Sequence, residues 1–391
     1  MFHLIVTHSV NENHCVFIHL KTGQFYCLPD NYEIVDNPSL TDIKQALHPQ
    51  YTLSQIKALD NQTDLSRDLW GKQYLPGYVG MNNLQKTDYI NAIIQALAHV
   101  PPIRNFFLLL DQQPSVVNHK KSFEMSHLVL CFAALMRKLW SNQRFKSNVD
   151  PHEMIQAISA ASKKKFHVGR QADAAEFLSW FLHQLHLGIG GHPRKPGTSI
   201  IHQTFQGIVE VTTRQPKKVG PTIPHNDDDR EGSDDDEQPQ MESNSAENET
   251  KVVVEETTTT ANFLHLTLEI PEKPLFKDEN GGLVIPQEPL VTVLQKFNGI
   301  SFSDALNRQG TPQQRRYRLK ELPNYLILHL ARFKKNNFYS EKNPTIVAFP
   351  LKNLDLKPYL HSNDKEAKKP TDSELDAMSV SVHAQFNVST P

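Results

Sequence analysis

The sequence predicts an α+β protein in which helices come first and a mainly antiparallel sheet follows. Three observations carry that expectation. Apolar residues recur at three- and four-residue steps up to about residue 187. Alternating, β-branched residues take over from Phe205. A strongly acidic tract then interrupts the second half.

The first elements are short. Val16 to Asp30 looks like two strands joined by a Lys-Thr-Gly turn and closed by Pro29-Asp30-Asn31. From Ser39 to Leu69 the period turns helical, with Leu40, Ile43, Leu47, Leu53, Ile56 and Leu59 on the apolar steps. The Pro/Gly break Tyr74-Leu-Pro-Gly-Tyr-Val-Gly80 marks a boundary. Beyond it, Tyr89, Ile93 and Leu97 with Ile90 and Ile94 define one helix face, halted by Pro101-Pro102. Further helices are expected over 123–140, 151–160 and 172–187, and strands at Ile208–Thr213, Phe263–Ile270 and Tyr325–Leu330.

The 391 residues carry 41 Lys+Arg and 43 Asp+Glu, a near balance that conceals an asymmetry. Between His225 and Thr250 stand eleven acids and one base, a local charge of −10 that leaves +8 for the rest of the chain. With almost no large apolar residues, about 219–260 is expected to be disordered. It reads first as a solvated linker, with a tether for a basic partner or competition with RNA phosphates as alternatives. Three cysteines, Cys15, Cys27 and Cys131, exclude a disulfide framework and a four-thiolate zinc site. No apolar run approaches a membrane span, and the chain reads as soluble and intracellular. Basic clusters such as Lys163-Lys-Lys165 lack the aromatic interleaving of a specific RNA surface.

The chemistry concentrates in Gly80-Met-Asn-Asn-Leu-Gln-Lys-Thr-Asp-Tyr-Ile-Asn-Ala-Ile-Ile-Gln-Ala-Leu97. This segment resembles the Cys box of the ubiquitin-specific proteases at Gly80, Asn83, Leu84, Thr87, Tyr89, Asn91, Gln95 and Leu97. The nucleophile position is occupied by Asp88, and the Gly-Asn pair before it by Gln85-Lys86. The resemblance puts Asn83 at an oxyanion-type amide position, with a turn role as the alternative. A carboxylate at a helix start accepts from free backbone N–H groups as a cap and is a poor nucleophile toward an isopeptide carbonyl.

Three further boxes are similar to the same family. Arg170-Gln-Ala-Asp-Ala-Ala-Glu-Phe-Leu178 makes Asp173 and Glu176 candidates for the ubiquitin-tail channel, against a solvated helix face. Leu322–Phe333 and Phe349–Leu356 match two later strands. The terminal His box is absent from Ser373–Pro391, where His383 reads as a surface histidine. No Cys-x-x-Cys pair follows Phe205, so the fingers carry no zinc ligands. Cys131, on an apolar helix, reads as a buried thiol rather than a displaced nucleophile.

Within the family, Asp88, Tyr74-Leu-Pro-Gly77, Lys296-Phe-Asn-Gly-Ile300 and Glu341–Val347 resemble the snRNP assembly-defective splicing factors, catalytically defective relatives that join the spliceosomal tri-snRNP. Phe25-Tyr-Cys-Leu-Pro-Asp-Asn-Tyr-Glu-Ile34 reproduces the end of their zinc-finger ubiquitin-binding-type domain. The zinc expected in the intact finger is not predicted here: the resemblance makes His8 and His14 candidates for degenerate ligand positions, and two histidines without their thiolates cannot close a structural zinc site. An improvised site using Cys15 or Cys27 is the alternative.

The resemblance implies a papain-like ubiquitin-specific-protease fold with helical thumb, β fingers and palm. The expected divisions are a finger remnant at 1–36, a helical connector at 37–73 and the protease-like domain at 74–391. It also implies a nuclear, catalytically inactive scaffold in pre-mRNA splicing. Its partners would be tri-snRNP proteins, with ubiquitin as a further candidate, no membrane and RNA contact left open. A working isopeptidase and a silent ubiquitin-binding module are the rival functions.

Overall fold

The computed structural model describes residues 2–19, 22–35, 38–112, 125–218, 252–272, 276–277, 283–307, 310–335 and 340–360. The acidic tract over 225–250 and the tail with His383 lie outside them. Contacts divide the described chain into two units: one formed by residues up to 206 with 323–327, the other by 207–322 with 328–360.

The first unit opens with a helix, Phe2–Glu12, and a three-stranded antiparallel meander, Val16–Ile18, Phe25–Cys27 and Tyr32–Ile34. The third strand exceeds the expected pair. Asn31, at a φ of 57°, turns the chain tightly after Cys27, and Phe25 pairs with Ile34. The helical period then holds only to Asn61, through Thr41–Leu47, the capping-boxed Leu53–Ala58 and a 3-10 turn. The expected helix to Leu69 is corrected by two short strands, Ser66–Arg67 and Gln73–Tyr74. The Asp68 carboxylate takes the Trp70 and Lys72 N–H groups at 3.0 and 2.8 Å, a local turn that competes with helix.

The thumb is built from helices Asp88–Ala98, Pro101–Leu108, His127–Trp140, His152–Ala161, Ala174–Gly188 and Ile200–Phe205. Pro101 and Pro102 halt one helix and start the next, since proline at the first helical position gives up an N–H with no partner there. These helices meet on fully buried residues: Ile90, Ile94, Phe107, Phe132, Phe177 and Phe181. Aromatic edges link them, Phe107 to Phe132 at 4.7 Å and Phe132 to Phe181 at 5.2 Å between centroids. The packing explains why the apolar period was readable: each stripe has a partner stripe.

The second unit carries a four-stranded antiparallel sheet ordered Asn298–Leu306, Pro312–Glu321, Gly207–Lys218 and Val252–Phe263. The expected disorder over 252–260 is therefore corrected. Val252–Val254 and Thr257–Thr260 are β-branched and pair with Lys218 through Glu210 in unbroken register. Gly207 sits against the Phe263 ring, where a side chain would also lie 2.7 Å from the Glu321 carbonyl. Two pairs are parallel, Leu266–Glu269 with Leu328–Ala331 and Gln287–Pro289 with Ile346–Ala348. Among the described residues no helix is long and apolar enough to cross a membrane.

Candidate functional site

Asp88 opens its helix, but Thr87 holds the N-cap position and no side chain caps there. The Asp88 carboxylate instead accepts from Gln171 Nε2 at 3.3 Å. The expected cap is thus corrected: Asp88 lies in the first turn, where its charge suits the helix dipole, and its hydrogen bond goes to a side chain 83 positions away. Thr87 is buried and turned back into the loop. Its hydroxyl accepts from Leu84 N at 3.0 Å and donates to Asn83 Oδ1 at 3.1 Å.

Asn83 also accepts from Thr87 N at 3.0 Å. These bonds use the amide oxygen, the turn role left open by the sequence; an oxyanion site would draw on the NH2 group, which these bonds do not occupy. Between them Gln85 and Lys86 hold φ values of 64° and 55°. That is the left-handed region the Gly-Asn of the resembling box enters easily, and it costs non-glycine residues about 1 kcal/mol or more each. The Gln85 carbonyl accepts from Gly169 N at 2.9 Å, fastening this loop to the 162–170 segment. Around it, Asn91 Nδ2 donates to the Asn82 carbonyl at 3.0 Å and Gln95 Nε2 to the Val79 carbonyl at 2.7 Å. Tyr89 is 1% exposed, and burial raises its pKa to about 12, with Arg170 opposing and Asp88 adding.

Asp173 is the N-cap of Ala174–Gly188, accepting from Glu176 N at 2.9 Å. Glu176 pairs with Lys165 Nζ at 2.7 Å, both side chains about half exposed. We expect Asp173→Ala to lower stability by about 1 kcal/mol through the lost cap. Glu176→Gln should change it by less than about 0.5 kcal/mol, because an exposed pair is screened. Chemical denaturation of the two variants checks both; equal losses would contradict the assignment.

Cys131 is half-exposed, not buried as the helix pattern suggested, and its Sγ lies 3.5 Å from His127 Nε2 one turn earlier. Burial, reinforced by Glu153 and opposed by Lys138, pushes its thiol up, away from a reactive thiolate. His8 Nε2 stands 3.1 Å from His14 Nδ1, while Cys15 Sγ points its weak donor at the Asn13 carbonyl. Among the described residues no group of three or more His, Cys, Asp or Glu could hold a metal. A structural zinc takes four ligands, more than the described residues bring together here.

The sequence profile of the family described as Ubiquitin carboxyl-terminal hydrolase matches residues 79–388. The chain belongs to the ubiquitin carboxyl-terminal hydrolase family. The profile described as Zn-finger in ubiquitin-hydrolases and other protein matches residues 3–39. Within this hydrolase family, the chain is 45% identical over 376 residues to Ubiquitin carboxyl-terminal hydrolase 39 of Mus musculus, covering 95% of this chain and 62% of that protein. It is 37% identical over 383 residues to the probable mRNA-splicing protein ubp10 of Schizosaccharomyces pombe, covering 96% and 68%. Among solved structures, an essential yeast splicing factor superposes with a TM-score of 0.57 at 22% identity, over 89% of this chain and 71% of that one. The hydrolase-family chain therefore has the ubiquitin-specific-protease fold with a zinc-finger-type segment at its N-terminus. It spans about three fifths of the length of its mouse relative.

Proposed function

We propose that this chain is a catalytically inactive member of the hydrolase family that serves as a scaffold in pre-mRNA splicing, supporting tri-snRNP assembly in the nucleus. One observation carries the inactive part: Asp88 occupies the nucleophile position and its carboxylate is engaged by Gln171. A carboxylate there would need a second acid sharing a proton to act as aspartic proteases do, and its hydrogen-bond partner is an amide. The splicing part rests on relatives named as splicing proteins. Asp173 caps a helix and Glu176 makes an exposed pair with Lys165, so each carboxylate has a structural contact beside the channel role the resemblance implies. Ubiquitin remains a candidate ligand of the fold.

The test is affinity purification of the tagged protein from nuclear extract. Enrichment of tri-snRNP proteins together is the expected result. Recovery without any of them would overturn the splicing assignment, whatever the catalytic state.

A further inference from the structure

We infer that the outer edge of the strand Val252–Phe263 pairs with the same strand of a second copy of this chain, antiparallel about a two-fold axis, so that two sheets become one. The strand is twelve residues long and has Gly207–Lys218 on one side; among the described residues no strand pairs with its other side. In an antiparallel ladder every second residue of such a strand points its N–H and C=O outward, a template for another strand. Residues 254–262 are exposed throughout, so no other described element lies over the edge.

The edge lacks the features that keep an exposed strand from pairing. It contains no Lys, Pro or Gly, and its register with Gly207–Lys218 runs unbroken over twelve residue pairs. The opposite edge of the same sheet differs. Asn298–Leu306 shifts register between Asn298 and Phe302, and Gly299 turns there at a φ of 72°. Such an irregularity twists an edge away from partners. Val254 and Thr257–Thr260 are β-branched residues, which suit a pleated, paired strand.

Charge and symmetry select the occupant. Val252–Phe263 and Gly207–Lys218 together carry Glu210, Glu255 and Glu256 against Arg214, Lys217 and Lys218, a net of zero. Glu256 is itself held by Arg214 at 2.9 Å and Arg316 at 3.4 Å. This strand pair offers a charged segment of another protein no net charge to read, whereas it suits itself. With the axis at Thr257 or Thr258, threonines face one another, and Glu255 and Glu256 face only Thr258, Thr259, Thr260 or Ala261. A parallel, in-register pair would instead set each carboxylate against its own copy, which is unfavourable. The acidic tract adds charge at the Val252 end. Antiparallel pairing puts the two Val252 ends roughly 35 Å apart, at about 3.3 Å per residue, against a screening length of about 8 Å. A sheet edge alone covers less than the about 1,200 Å² of a stable interface, so the dimer is reversible.

The test is sedimentation of the 391-residue chain over a concentration series, with hydrogen exchange measured at both ends of the series. A doubling of mass on concentration is expected, and the amides of 254–263 should exchange more slowly in the concentrated sample than in the dilute one. The double variant Thr257→Glu, Thr259→Glu sets carboxylates against one another with the axis at either residue, and it should stay monomeric. Mixed with the double variant Thr257→Lys, Thr259→Lys, it should form dimers again. A parent chain that stays monomeric throughout, as it would if a strand of another protein fills the edge, would overturn the proposal. So would a parent dimer that the paired Glu substitutions leave intact, or exchange over 254–263 that is independent of concentration.

Discussion

Phe177→Ala is expected to lower the stability of the helical unit by about 3–5 kcal/mol, the range for emptying a buried aromatic site. Phe177 is fully buried, with Tyr89 edge-on at 5.6 Å, Phe166 at 5.2 Å and Phe181 stacked at 5.3 Å between centroids. Its removal leaves three rings without a common neighbour, and interiors this close-packed relax only in part. Against a total stability of about 5–15 kcal/mol, the loss lowers the melting temperature by roughly 10 °C. Tyr89 follows Asp88 in the chain, so the cavity also loosens the start of the site helix. Phe177→Leu, which refills most of the volume, should lose far less. Denaturant melts of the two variants decide the matter. A loss below about 1 kcal/mol for the alanine variant would show that the cluster is not the centre of this core.

The second large effect is one of pH. His186 and His202 stack at 3.7 Å between ring centroids with an 11° interplanar angle. His186 is buried, with Nδ1 2.7 Å from Ser199 Oγ and Nε2 3.1 Å from the His192 carbonyl. Burial, then the neighbouring His186 and His183, lowers the His202 pKa to about 4, and burial lowers that of His186. Both folded values lie below the unfolded one, about 6.5. The unfolded chain therefore binds more protons as the pH falls, so this contribution is complete above about pH 6.5 and is lost on the way to pH 4. After allowance for the partial exposure of His202, the loss is on the order of 2 kcal/mol. His202→Phe keeps a ring in the stack and removes one titration. The expected result is a shallower fall of melting temperature between pH 7 and pH 4.5 in the variant. Parallel curves for variant and parent would sink the explanation.

Both features show where sequence patterns suffice and where they stop. The Asp88–Ala98 helix was legible because Ile90, Ile94 and Leu97 repeat at helical steps and find partners in the core. Pro101 was legible as a stop but not as a start, since the same residue serves both ends of a helix pair. The strand Val252–Phe263 was hidden by the acidic tract before it. Its threonines carry no apolar alternation, and only the register with Gly207–Lys218 makes them a strand.

At the site, the substitution of Asp88 and the box around it were readable from position alone. The Gln171 contact was not, because it joins residues 83 positions apart and depends on how the segment before Ala174–Gly188 meets the start of Asp88–Ala98. Asp173 looked like a channel acid or a solvated helix face. Its role as N-cap was within reach, since it precedes an apolar run and has Glu three positions later. The turn at Trp70 was missed because the apolar period ran on to Leu69, and nothing in a periodicity tells an exposed leucine from a buried one.

The proposed inactivity rests on Asp88 standing at the nucleophile position with no cysteine in its place. The direct test exposes the folded chain of 391 residues to ubiquitin bearing a thiol-reactive C-terminus. No covalent adduct is expected under conditions that label an active family member completely. An adduct that disappears when Cys15, Cys27 or Cys131 is changed to serine would contradict it.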